Sequence, residues 1–595
     1  MRTEGKRGSV PWSIVLLVAG ILVVTTLALA LRLPGLADKP LHSDEGVNGW
    51  FSLRLYWWNV YRYQPADYHG PFLYYVNLVL FWLFGPSDVS LRLGTALFGG
   101  CVPLLLWPLR RWIGGVGVLV AGLLLACSPG MVYFSRTVIH EIYLVFFTVL
   151  WVVALISFLR RPGWTSGLVA SLACLGAFCN KETAILTLGS LGCGFLLAWL
   201  AGRRRDDGPG LLEPDLFGGR DRLAQLHSVC GARWRVWLAG VALFFVGIVL
   251  FFSSFFSYTV GEKLARKMAP LPEWFVGVGG FFRAFLPWFD HGSSGRNQGK
   301  DWDYFLGLMV EHTEGLALGL GLAAAVLALV LRHRLGLFLV GWAASSFTVY
   351  SLIPYKTPWC VLSIDLAVFI LCGWGAGQCI FCLRDPGSHP LVRGLALLPV
   401  LVVLLPVAHF AETSLKDNAE RYDDPDLPYV YVQTQRGFHD LIRDHLGVAA
   451  ADPEGDGLGP RVENINGKNP TRWYTITRGW DHERTRYWAY DDPKDSLPSA
   501  RRLSKAQIVV SVGLGKRGLE ARLEETGLGW HREVYPLRPG WRITSWYRQE
   551  LWDRYQAKGG RQSEGASLSP SASIHEPPKP ERYLTSRERK QRQKQ

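Results

Sequence analysis

Long uncharged apolar runs recur through the first 411 residues, separated by short segments that hold most of the charge in that region. Each run is about 18–25 residues long, enough for a helix to cross roughly 30 Å of hydrocarbon. The pattern predicts spans at 12–33, 90–109, 114–134, 141–159, 165–180, 183–201, 236–257, 305–331, 335–353, 359–382 and 391–411. One further run, 72–85, is only about 14 residues long. Its Tyr74, Tyr75, Asn77 and Trp82 suit a helix lying in the membrane interface.

Beyond residue 411 the long runs stop. Tyr429–Gln433 and Ile508–Val512 read as strands, and Phe438–Leu446 and Leu519–Glu525 as helices. Trp530–Tyr535 and Trp541–Tyr547 read as a strand pair punctuated by Pro536 and Pro539-Gly540. Three parts follow: a transmembrane domain over 1–411, a small α/β domain over 412–558, and a disordered basic tail over 559–595. Aromatics in the small domain suit either glycan or partner binding, or packing of a local core. The basic end of the tail either touches anionic lipid or is solvated. The fold class is an all-α polytopic membrane protein of about eleven transmembrane helices with a C-terminal soluble α/β domain.

Composition agrees with the pattern. Hydrophobic residues make up 49% of the chain and charged residues only 19%, which excludes a soluble enzyme, a disordered protein and a protein with one anchor. The 63 Lys and Arg against 49 Asp and Glu leave a net charge of +14, and the placement of the cations sets the orientation. Arg2, Lys6 and Arg7 put the N-terminus in the cytoplasm. With 72–85 in the interface, Arg110-Arg111, Arg160-Arg161, the Arg203–Arg235 loop, Arg332 to Arg334, Arg384 and Arg393 all fall on the cytoplasmic side. Loops 34–71 and 135–141 and the region after His409 then face outward. The expected place is the cell membrane, multi-pass, with the C-terminal domain extracytoplasmic. The first span ends at Arg32 without a small-residue cleavage site, so it is expected to be retained. All ten cysteines precede residue 384 and read as buried thiols, with neither a disulfide framework nor a metal-ligand pattern. No nucleic-acid partner is expected.

Ionisable groups at the outward boundary carry the candidate chemistry, because such a group is costly in a bilayer. His42-Ser-Asp44-Glu45 precedes an apolar, aromatic stretch that suits a surface helix. The two acids serve either to cap that helix or to do catalysis. His69-Gly70-Pro71 leads into the short helix, and proline at a helix start is ordinary. Arg136 and His140-Glu141 lie between the third and fourth spans, where a salt bridge at a helix start is the plainer alternative. Lys181-Glu182 sits between two apolar runs with almost no loop, as a functional pair or a self-neutralised turn. Lys356, between Pro354 and Pro358, either meets a phosphate or snorkels into headgroups. Taken together these positions share one face and supply carboxylates for base or metal work and cations for a phosphate.

These residues resemble the GT-C superfamily of polytopic glycosyltransferases, in the branch of protein O-mannosyltransferases and the aminoarabinose–lipid A transferase. The matching features are Asp44-Glu45, His69-Gly-Pro71, Ser90-Leu-Arg92-Leu, Arg136 to Glu141 and Lys181. Pro354-Tyr-Lys-Thr-Pro-Trp359 and the aromatic C-terminal domain look most like the flippase-activity-associated family of archaea and bacteria. The resemblance implies a membrane glycosyltransferase that moves a sugar, with inversion, from a polyprenyl-phosphate-linked donor to an extracytoplasmic protein, lipid or glycan acceptor. It implies Asp44 as general base beside Glu45, and Arg136, Lys181 and Lys356 as ligands of the departing phosphate. His42, His69, His140, Glu141 and Glu182 would then support the site or hold a divalent metal ion. Gly70 stands where a second proline of the mannosyltransferases would fall, and the C-terminal region is unlike their sugar-binding insert. Two other readings stay open: a non-catalytic partner of lipid-linked sugar flipping, and a scaffold for envelope glycan assembly.

Overall fold

The computed structural model describes residues 12–61, 63, 69–160, 163–201, 231, 234–256, 281, 285, 293, 299–311, 314–384, 394, 401–453, 455, 459–465, 470–477, 480, 484–488, 497–512 and 518–562. Arg2, Lys6 and Arg7, Arg161, most of the Arg203–Arg235 loop, Arg393 with most of 391–400, and 563–595 lie outside the described residues.

Nine helices in the first third set the frame: α1 (Trp12–Arg32), α2 (Ser43–Trp58), α3 (Phe72–Phe84), α4 (Asp88–Leu105), α5 (Arg110–Cys127), α6 (Pro129–Ser135), α7 (Glu141–Arg160), α8 (Trp164–Asn180) and α9 (Ala184–Ala201). Further long helices are Trp234–Phe252, Gly315–Leu331, Arg334–Leu352, Val361–Arg384 and Leu404–Ala419. Among the described residues seven helical stretches are long and apolar enough to cross a membrane, or eight if one bent pair counts as a span. In that count α4 and α5 form a single 40-residue stretch, Asp88–Cys127, and α3 and α8 fall among the shorter apolar helices.

The run expected as one span over 305–331 is two helices, Tyr304–Glu311 and Gly315–Leu331, bent by 111°. Glu314, just before the second helix, is buried and accepts a hydrogen bond from Ser128 at 2.7 Å.

By packing, the chain divides into two compact units. The first comprises Met1–Pro34, Arg62–Leu73 and Leu93–Arg421; the second comprises Gly35–Tyr61, Tyr74–Arg92 and Tyr422–Gln595. Segments 35–61 and 74–92 thus pack with the C-terminal region.

In the first unit α5 lies along Val361–Arg384, and α9 along Arg334–Leu352. Gly117 meets the Gly373 carbonyl and Gly341 meets the backbone of Gly194, the close approach that small residues allow between membrane helices. Leu16, Val23, Leu200, Val246 and Val330 point outward, a surface suited to lipid. Arg32, which ends α1, is fully buried and donates to the Leu125 and Ala126 carbonyls at 3.0 and 2.7 Å. It thereby satisfies carbonyls left unpaired at the end of α5.

The second unit holds a five-stranded sheet, β1 (Val462–Ile465), β2 (Thr485–Trp488), β3 (Ile508–Val512), β4 (Trp530–Arg538) and β5 (Trp541–Arg548), in the order β2-β1-β3-β5-β4. β1 is parallel to β2 and β3; β5 is antiparallel to β3 and β4. Alternation along the strands sends Val509 and Trp546 into a core with Ile465, Leu503, Leu519 and Leu523. On the other face the helix Phe438–Ala450 carries a buried Asp444. It accepts hydrogen bonds from Tyr555 at 3.0 Å, from Arg561 at 2.9 Å and from Tyr535. Pro536 sits inside β4 at a register irregularity, which an edge strand tolerates.

The strand expected at Tyr429–Gln433 is not one. That stretch is irregular, with Val432 at φ 45°. Its polar groups bond to the loop before α2 instead of to a strand.

Candidate active site

The loop before α2 is tied by hydrogen bonds to α2, α4 and the C-terminal segment. His42 caps α2: its Nδ1 accepts from the Asp44 amide at 3.1 Å, while Glu45 accepts from the His42 amide at 2.9 Å. This is a capping box, which answers two orphan amides at once. The Nδ1 acceptor role leaves the His42 proton on Nε2, which donates to the Tyr431 carbonyl at 3.1 Å.

Glu45 is fully buried and paired with Arg92 of α4 through two bonds of 2.8 and 2.6 Å. The same guanidinium donates to the carbonyls of Leu36 at 2.6 Å, Lys39 at 2.7 Å and Pro40 at 3.3 Å. Burial, the largest influence on the Glu45 carboxyl, would raise its pKa. Arg92, Lys39 and the His42 amide together outweigh burial and hold it down at about 2. Glu45 is therefore a permanent charge committed to holding the loop.

Asp44 differs. Its side chain is 55% exposed and lies 3.8 Å from His42. Of the two adjacent acids, one is locked and one is presented.

Residues of the C-terminal segment complete the hold. Gln433 donates to the Pro40 carbonyl at 2.9 Å, Thr434 to the Leu41 carbonyl at 2.7 Å, and the Tyr474 hydroxyl accepts from the Leu41 amide at 3.1 Å. Arg472 stacks over Trp50 at 3.7 Å, and Trp473 donates to Asp88 at 2.6 Å. On α3, Tyr74 donates to Asn48 of α2 at 3.0 Å and Asn77 to Ser52 at 3.0 Å.

The first unit gathers a second set. Glu141, at the start of α7, pairs with Lys181, and both side chains are buried. Glu182 accepts from Tyr63 at 3.2 Å and faces His69 Nδ1 at 2.7 Å. His69 and His140 lie edge to face at 5.1 Å, and Asn180 donates to the His140 carbonyl at 2.6 Å. Burial pushes Glu182 up to about 8 against the lowering pull of Lys181 and Tyr63. Burial, then Lys181, holds His69 well below its ordinary value. One proton shared between the two groups satisfies both. At Gly70, where the mannosyltransferases would have a second proline, any side chain would strike the Cys179 carbonyl.

Arg136 and Lys356 stand apart from that cluster. Arg136 donates to the Arg32 carbonyl at 2.9 Å and to that of Pro34, where α1 ends. Lys356 is buried and donates to the carbonyls of Lys300 at 3.0 Å and Ile353 at 2.7 Å. It closes a short bridge between Gly299 and Tyr355. Lys300 lies 3.8 Å over the Tyr304 ring. Burial lowers the pKa of both lysines.

His69, His140, Glu141, Lys181 and Glu182 therefore share one cluster, and His42, Asp44 and Glu45 share the N-terminal cap and first turn of α2 in the other compact unit. The donors expected for a metal are engaged with one another, and among the described residues no group of three or more His, Cys, Asp or Glu is disposed to hold an ion. Lys300, Gln433, Thr434 and Tyr474 escape a sequence reading because their roles depend on distant backbone. Arg92 was visible in the Ser90-Leu-Arg92-Leu motif, but its pairing with Glu45, 47 positions away, was not.

Comparison with known proteins bears on the fold. The family described as dolichyl-phosphate-mannose-protein mannosyltransferase matches residues 68–206. No curated protein sequence matches the chain. Among solved structures, ArnT from Cupriavidus metallidurans bound to undecaprenyl phosphate is similar at TM-score 0.52 and 16% identity, covering 90% of this chain and 98% of that one. The archaeal oligosaccharyltransferase AglB from Archaeoglobus fulgidus, in complex with an inhibitory peptide and a dolichol-phosphate, is similar at TM-score 0.50 and 12% identity. It covers 88% of this chain and 73% of that one. The chain has the fold of the GT-C glycosyltransferases.

Proposed function

We propose that this protein transfers a sugar from a polyprenyl-phosphate carrier to a nucleophile on the extracytoplasmic face, with inversion and with Asp44 as general base. The observation that carries this reading is the division of labour at α2. Glu45 is spent on Arg92 and His42 on two backbone groups, while Asp44 stands exposed in the first turn of the helix they cap.

In the transfer, Asp44 takes the proton from the acceptor as the acceptor oxygen or other nucleophile bonds to the anomeric carbon. The bond from that carbon to the phosphate oxygen breaks, and polyprenyl phosphate leaves. A base needs placement within about 3 Å of the proton it takes. Cations held by backbone carbonyls, such as Arg136 and Lys356, suit the leaving phosphate because they do not have to be ordered at the moment of reaction.

The test is direct. Purified protein in nanodiscs is given a polyprenyl-phosphate-linked sugar and an acceptor extract, and free polyprenyl phosphate and the anomeric configuration of the product are followed. Release with inversion supports the proposal. Movement of intact carrier across the bilayer with no release would replace it with flipping.

A further inference from the structure

The sheet of the second unit concentrates positive charge at one end. Arg461 precedes β1 and Arg484 precedes β2, while Lys505 lies three residues before β3. Because these three strands are parallel, with Val462 opposite both Thr485 and Ile508, their beginnings lie together. β5 runs the other way, so its end, Arg548, reaches the same edge, where Tyr547 faces Ile508. The backbones are joined there: Gln507 donates to the Arg461 carbonyl, Arg548 to the Gln507 carbonyl and Val462 to the Arg484 carbonyl, each at 3.0 Å.

These groups line an open cleft of about 780 Å³, completed by Arg554 from the helix Gln549–Ala557. Five cations face two acids, Asp452 and Glu550. Arg484 and Arg548 are engaged with carbonyls. The side chains of Arg461, Lys505 and Arg554 are exposed and have no ion pair or hydrogen bond among the described residues. None of the residues assigned to the transfer lines this cleft.

Ligand pockets are usually apolar, and in open α/β sheets they lie at the carboxyl ends of the strands. This one is polar and lies at the amino ends, so it suits neither an apolar small molecule nor a nucleotide held on a helix. Unpaired cations beside amide and carboxylate groups recognise two things together, an anionic substituent and a row of hydroxyls. We propose that the cleft binds an anionic oligosaccharide, one bearing carboxylates or phosphates, through Arg461, Lys505 and Arg554. The proposal is independent of the transferase reading.

The experiment uses the full-length protein in nanodiscs of zwitterionic lipid and measures binding of hexagalacturonate, its neutral methyl ester, phosphomannopentaose, inorganic phosphate and a single-stranded oligonucleotide of matched charge. At least one anionic saccharide should bind, more weakly as salt rises. The methyl ester should not. The uronate and phosphate arms tell which substituent is preferred. The triple variant Arg461→Gln, Lys505→Gln, Arg554→Gln should bind about tenfold more weakly or worse, a loss of about 1.4 kcal/mol. Arg522→Gln, which alters an exposed pair with Glu525 outside the cleft, should bind as wild type. Unchanged binding by the triple variant, equal binding of the neutral ester, equal binding of inorganic phosphate or of the oligonucleotide, or no saccharide binding would each overturn the proposal.

Discussion

At the scale of single residues, two neighbouring acids have opposite fates. Glu45 is buried against Arg92, and removing one partner of a buried pair leaves the other charge uncompensated, at a cost of roughly 3–5 kcal/mol. Glu45→Gln should therefore lower the thermal midpoint of the detergent-solubilised protein markedly, and a melt unchanged from wild type would show that the pair does not hold the loop. Glu182 gives a pH signature. Its pKa in the fold is raised to about 8 from an ordinary 4.5, so the folded state holds the proton more tightly than the unfolded chain. That stabilisation is complete below about 4.5 and is lost as pH rises through about 8. His69 and His140 are lowered by burial first, so they act the other way, adding stability as pH rises towards 6.5. The two effects oppose each other below 6.5, and above it the histidines no longer offset the Glu182 effect. Stability should fall between pH 6.5 and 8, and Glu182→Gln should flatten that slope. A wild-type melt that rises over this window would contradict the assignment.

At the scale of elements, the loop at 35–45 is held by a segment nearly 400 positions away in sequence. Its backbone groups are answered by Gln433, Thr434 and Tyr474. This is why Tyr429–Gln433 fails as a strand: its apolar alternation resembles one, but its hydrogen-bonding capacity is spent on the loop. The helices were legible because their signal is local, as in the capping residues of α2. β1 and β2 were not, since each is only four residues long and their register comes from β3. Removing two of the clamping hydroxyls, Thr434→Val with Tyr474→Phe, should cost about 0.5–1.5 kcal/mol per bond. It should lower turnover more than carrier binding, because the loop that leads into the α2 turn carrying Asp44 loses its hold. A double variant with wild-type turnover would show that the clamp does not position the loop.

At the scale of the whole molecule, the apolar rhythm of the first 411 residues revealed a polytopic membrane protein, and comparison placed it in the GT-C fold. Composition and spacing could not show that 35–61 and 74–92 pack with the C-terminal region, because that grouping rests on tertiary contacts between distant segments. The candidate residues were visible as charges lying against an apolar background. Their division into holding and presented groups was not, since exposure and partners exist only in the fold.

The central claim is that Asp44 is the group that takes the acceptor's proton while its neighbours only hold it. The most direct measurement is single-turnover transfer by Asp44→Asn, with carrier binding measured on the same preparation. Loss of one general base typically lowers a rate by about 10²–10⁴. A fall of that size is expected, with carrier affinity and thermal midpoint close to wild type. Transfer at the wild-type rate by a well-folded Asp44→Asn protein would contradict it.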